Sequence, residues 1–144
     1  MADKNKEFQE LKEWLIIFLK HRDIFHKKIV NINEDGEFLL VEQKDAIKYY
    51  AIFPTIGDIK QIVTEYKDKN ISIITFNTRD NLDFIIKSWQ ELSALQMLCI
   101  YFVNPHSSTD KKWIIYPFTH SRISEKSSLK LGLMTLFESV EEYK

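Results

Sequence analysis

Along the first quarter of the chain apolar residues recur at helical spacing. Phe8, Leu11, Leu15, Phe18 and Leu19 share a stripe, and Glu7, Glu10, Lys12, Glu13 and Lys20 fall mostly elsewhere, which predicts an amphipathic helix from about 5 to 22. Trp14, Ile16 and Ile17 widen the apolar face. A face that wide implies a helix covered on more than one side, or one that offers a surface to a protein partner. The period then shortens. Lys28 to Asn33 and Glu37 to Glu42 are β-rich runs flanking Glu34-Asp35-Gly36, a strong short-range hairpin signal. A third strand is expected from Lys48 to Phe53. Pro54 and Gly57 break the pattern, and Thr55 with Asp58 can cap a short helix carrying Ile59, Ile62, Val63 and Tyr66.

The second half alternates more regularly. It reads as a strand over Ile71–Phe76, a helix from about Arg79 to Leu95 capped by Asn77 or Thr78, strands over Leu98–Val103 and Trp113–Phe118, and a last helix near Ser127 to Tyr143. Leu82, Ile85, Ile86, Trp89 and Leu92 mark one face of the middle helix, as Leu129, Leu133, Leu136, Phe137 and Val140 do for the last. The sum is an α/β (α+β) domain, with a mixed sheet of about five or six strands flanked by helices. No repeat or linker divides residues 1–144, so one domain is expected.

Composition narrows the class. With 44% hydrophobic and 28% charged residues and only three Gly and three Pro, the balance is that of an ordered globular chain. A net charge of −1 lacks the bulk positive field of most dedicated nucleic-acid binders, leaving only a local basic patch for that purpose. No stretch reaches the ~20 apolar residues that a membrane span needs, and no signal-peptide pattern opens the chain, so a cytoplasmic protein without membrane contact is expected. Cys99, the lone cysteine, sits in an apolar run and reads as core. His21, His26, His106 and His120 show no zinc-like spacing. Glycines at 36, 57 and 132 alone leave neither a P-loop nor a dinucleotide fingerprint.

One segment hints at chemistry. Glu42-Gln43-Lys44 closes an apolar strand, and an acid and a lysine two apart on one strand share a face, as metal-dependent phosphodiester hydrolysis often requires. The whole run Ile29 to Lys44 resembles the hairpin of the PD-(D/E)XK nuclease superfamily. The order of the later helices and strands is similar to its resolvase-like, restriction-endonuclease-like branch. The resemblance implies Glu42, Lys44 and Asp23 as catalytic residues, Glu42 and Asp35 as metal ligands, Glu10 or Glu13 as the acid of the preceding helix, and Mg²⁺ as cofactor if hydrolysis is retained. The chain departs from that pattern twice. Lys28 stands where the family has an acid, with Asp23 the nearest upstream carboxylate, and Lys44 is followed by a strand instead of a helix. If the strand feeding the long helix is taken as the motif strand, the acid and lysine positions fall on Thr75 and Asn77, which can supply neither charge.

Other features have a plainer reading beside the functional one. Lys27-Lys28 and Lys111-Lys112 lie near Tyr49, Tyr50, Trp113 and Tyr116, which together suggest stacking and phosphate contact or, more simply, strand packing. The segment Trp113 to Arg122 is a candidate functional loop or a strand that ends at Pro117. The expectation is therefore a nuclease-like domain that has lost hydrolysis and serves as a binding or assembly module, with no cofactor. The alternatives are an active metal-dependent DNA nuclease and a scaffold that binds only protein. Nucleic acid, a protein met through the first helix and a second copy of the chain are the partners in view.

Overall fold

The computed structural model describes residues 2–65 and 67–144, with the side chains of 2–4 and 59 left aside. Among the described residues, six strands form a single sheet in the order β1-β2-β3-β4-β5-β6. They are β1 (Ile29–Asp35), β2 (Phe38–Gln43), β3 (Ile47–Ile52), β4 (Ile71–Phe76), β5 (Cys99–Val103) and β6 (Lys112–Ile115). The first three form an antiparallel meander, β3, β4 and β5 run parallel, and β6 returns antiparallel. This is an α/β fold with a mixed sheet, as the alternation of periods predicts.

Helix α1 (Ala2–His26) covers one face. Its Leu11, Leu15 and Leu19 bury against Leu39, Val41, Tyr50, Ile52, Ile74, Phe76 and Tyr101. The other face carries α2 (Ile59–Glu65), α3 (Arg79–Lys87), α4 (Trp89–Ser93) and α6 (Lys126–Glu138), with α5 (Pro117–Ile123) against α4. There Ala51, Ile73, Ile100 and Phe102 meet Ile62, Leu82, Ile85, Leu92, Leu133 and Phe137. Strand β5, Cys-Ile-Tyr-Phe-Val, is buried at every position, the uniform burial expected of a parallel strand covered on both faces. Edge strand β1 is mostly exposed.

Several boundaries differ from expectation, each for a physical reason. The first helix runs on to His26 and ends on Lys27, whose φ of 49° is the left-handed turn that stops a helix. Asp58 caps α2 through the Gln61 amide (3.1 Å), whereas the expected contributions of Tyr66 and the Ile59 side chain lie outside the described residues. Thr78, not Asn77, caps α3, accepting from the Asn81 amide. The helix expected to reach Leu95 breaks at buried Ser88 (φ −101°, ψ 15°), and the bend keeps Leu92 and Leu95 in the same core as Leu82 and Ile85. Strand β6 stops at Ile115 and Pro117 opens α5 instead of extending the strand to Phe118, since proline cannot donate to a ladder but suits the first helical turn. The last helix ends at Glu138. Beyond it residues 140–143 run as a strap that the core pins by hydrogen bonds.

Candidate functional site

The hairpin places its acids far apart. Glu42 pairs with Asn31 across the β1·β2 ladder, and Asp35 lies four residues further along β1, about 13 Å away at ~3.3 Å per residue. Leu39 and Val41 face α1 whereas Phe38 packs on the opposite side, so the pleat turns exposed Glu42 away from α1 and Gln43 toward it. Asp23 sits on α1, across the sheet from Glu42. Its carboxylate accepts the backbone amides of Lys28 (2.7 Å) and Ile29 (3.1 Å), anchoring the reversal between α1 and β1. Strand β2 ends at Gln43. Lys44 therefore lies in the β2–β3 turn, where its amide donates to the Lys28 carbonyl (3.0 Å), and the expected same-face relation with Glu42 does not extend to it. Of the helix acids, Glu13 is exposed. Glu10 lies 2.6 Å from His106 Nε2 and accepts from the Tyr143 hydroxyl (3.3 Å), roughly 20 Å along α1 from Asp23 at ~1.5 Å per residue. No group of three or more His, Cys, Asp or Glu side chains among the described residues is arranged to hold a metal ion.

The residues of the second register are structural pins. Thr75 Oγ1 donates to the Pro54 carbonyl (3.3 Å). Buried Asn77 accepts from Trp113 Nε1 (2.7 Å) and donates to the carbonyls of Phe137 (3.2 Å), Val140 (3.0 Å) and Glu141 (3.3 Å). Asn81 and Asn104 act likewise, on Pro54 and Phe76 and on Glu141. In open α/β sheets the crevice beyond the carboxyl ends of the parallel strands is the usual ligand site. Here the chain's own strap covers the end of β4, with Tyr143 stacked on Phe76 at 3.7 Å, while a cavity of ≈ 590 Å³ lined by Glu37, Phe53, Pro54 and Thr55 stays open beyond β3.

What the fold does bring together is positive charge. At the opposite, amino end of the parallel strands, a cavity of ≈ 220 Å³ is lined by Leu19, Arg22, Asp23, His26, Lys28, Ile29, Gln43 and Lys48. Two elements and a connection supply its basic side chains: α1 gives Arg22 and His26, β3 gives Lys48 and the α1–β1 connection gives Lys28. Its one carboxylate, Asp23, is already engaged by backbone amides. Arg22 reaches over the sheet toward the hydroxyls of Tyr101 and Tyr50. Burial, the largest influence, pulls its pKa down, but these neighbours outweigh it and the net shift is upward. Burial pushes the Tyr50 phenol up to about 12 and raises that of Tyr101, so both remain neutral hydroxyls, able to donate a hydrogen bond to an anion. The ring of Phe18 lies 5.1 Å from the Arg22 guanidinium and 5.2 Å from Lys112 Nζ, which carries the basic surface toward β6.

Of these groups the sequence singled out Lys28, Lys112 and Tyr50. Arg22, His26 and Lys48 carry no local signal, because only the packing of α1 over the meander joins them. Trp113 is core, stacked on Phe102 at 4.2 Å, and His120 sits edge-on to Trp89 at 5.6 Å. Burial raises the Cys99 thiol to about 11, consistent with a packed, unreactive sulfur. Among the described residues no helix is long and apolar enough to cross a membrane. Comparison with known proteins found no matching family model, curated protein or solved structure.

Proposed function

We propose that this domain binds the phosphate backbone of single-stranded or branched DNA without hydrolysing it, as a nuclease-like fold turned into a binding module. One observation carries the reading: three cationic side chains, Arg22, Lys28 and Lys48, converge on one cavity while the carboxylates of the nuclease-like hairpin stand on opposite faces or at opposite ends. Two-carboxylate metal chemistry needs its acids within a few ångströms of one ion, a requirement that Glu42, Asp23 and Asp35 do not meet in this arrangement. Lys28, at the position where the resemblance expects an acid, lines the cationic cavity instead. A phosphate there would meet charge from Arg22, Lys28 and Lys48.

Fluorescence anisotropy with labelled single-stranded and branched DNA tests this. Affinity should fall steeply with salt, and Lys28→Ala/Lys48→Ala should flatten the slope of log K against log salt by about 1.4, at ~0.7 per single-strand phosphate contact. Glu42→Ala should bind as the unmodified chain does, and neither should cut DNA when Mg²⁺ or Mn²⁺ is added. Binding that ignores salt, or that survives the double lysine variant unchanged, would defeat the proposal. Mn²⁺-dependent cleavage abolished by Glu42→Ala would establish the active nuclease in its place.

A further inference from the structure

The two edges of the sheet are unlike. Strand β6 is four residues long and ends against α5, whereas β1 is seven residues long with an unpaired outer edge. Long, open edges are usually shortened, covered or charged to prevent pairing with another strand. Beside β1 the surface is apolar. Val30 and Ile24 are each 60% exposed, and a cavity of ≈ 490 Å³ lined by these two with Ile29 and Ile32 and by Lys20, Asp23 and Asn31 runs between α1 and the strand. The register shift between Ile29 and Asn31 leaves Val30 without a partner on β2. The Ile32 amide donates to the side chain of its neighbour Asn31 (3.0 Å), a local bond on an exposed edge that a strand carbonyl can replace.

Charge decides the occupant. Lys27 and Lys28 precede β1, and Glu34 and Asp35 end it. Glu34 shares one oxygen with Lys12 and retains the other. A second copy laid antiparallel and centred on Asn31 sets Val30 opposite Ile32 and brings the Lys27-Lys28 pair that precedes β1 alongside Glu34 and Asp35 at its far end, twice over by symmetry. A parallel copy would set like charges together, and opposite charges across a ladder stabilise whereas like charges repel. We infer that the outer edge of β1 is a homodimer interface, in which two sheets join through antiparallel β1 strands and each copy's strand covers the apolar groove beside the other's α1. The contact is isologous and closes on itself, so it ends at two copies. It rests on none of the groups assigned to DNA binding except Lys28, and its readout is mass instead of DNA affinity.

Sedimentation velocity and light scattering on the full chain test it. The unmodified protein should be a dimer that weakens as salt rises. Lys27→Glu/Lys28→Glu and Glu34→Lys/Asp35→Lys should each dimerise about tenfold or more weakly, with circular dichroism showing both folded. Mixed together, these two variants should form a heterodimer, and the fourfold charge swap in one chain should restore the homodimer. A chain that stays monomeric at its highest soluble concentration overturns the inference, as does a dimer that neither charge variant weakens or a mixture that fails to associate.

Discussion

Two residues in the left-handed region test how far single backbone positions govern this fold. Ladder partners Asp35 and Phe38 enclose a two-residue loop, Gly36-Glu37. Gly36 has φ +60°, and Lys27 is the only non-glycine with positive φ among the described residues. The sequence anticipates a type I′ turn around Asp35-Gly36, but one positive φ at the first central position is the pattern of type II′, where glycine also leads. No atom lies within 4 Å of a Cβ placed on Gly36. Gly36→Val should therefore cost roughly 1 kcal/mol or more through backbone strain alone, and Gly36→Asn less, because Asn tolerates this region. At Lys27 the sign reverses: Lys27→Gly should stabilise by roughly 0.5 kcal/mol, since glycine occupies the helix-stopping position without Cβ strain. Urea denaturation of the variants measures both, and an unchanged midpoint for Gly36→Val would remove the turn as a determinant of register.

At the scale of elements, the junction of β4, β6, α6 and the strap depends on one amide. Asn77 follows β4 directly, with its side chain held between Trp113 Nε1 and the carbonyls of Phe137, Val140 and Glu141, while its own carbonyl accepts the Tyr143 amide (2.9 Å). Asn77→Ala removes the partners of a buried indole N–H and of the Val140 carbonyl, each costing about 1–3 kcal/mol, whereas the Phe137 and Glu141 carbonyls keep the Val140 amide and Asn104. The expected loss is roughly 2–4 kcal/mol, together with faster amide hydrogen exchange in residues 140–143. A loss under about 1 kcal/mol, or exchange confined to other elements, would show that the strap is held some other way. Sequence reasoning saw in Asn77 only a position without charge and a possible helix cap. Its acceptor carbonyls come from residues some sixty positions away, and no periodicity reports such a pairing.

The molecule as a whole carries its titration signature on the α1 side of the sheet. Burial lifts Tyr50 from 10.0 to about 12 and Cys99 from 9.0 to about 11, and Tyr116, beside Cys99, and Tyr143 also rise to about 12. Between about pH 9 and 12 the folded state holds protons that the unfolded chain releases, so stability falls as pH rises through this window and is unaffected below it. Urea unfolding followed from pH 8 to 12 should show that decline, and Tyr50→Phe with Cys99→Ala should flatten it. A profile equally steep in the double variant would place its cause elsewhere.

The sequence by itself determined the α/β class, the hairpin and the core role of Cys99, because period two, period 3.6 and turn chemistry are local and each reports which side of an element is buried. Set beside the resemblance, it also placed Lys28 where that family has an acid. Tertiary structure alone decided that Asp23 anchors a chain reversal, that the chain's own strap covers the end of β4, and that Arg22, His26, Lys28 and Lys48 meet in one cavity. Those relations join residues on α1, β3 and the connections between elements. Periodicity states which face of each element seeks cover; only the docking of α1 across the meander settles which side chains that cover brings within reach of one another.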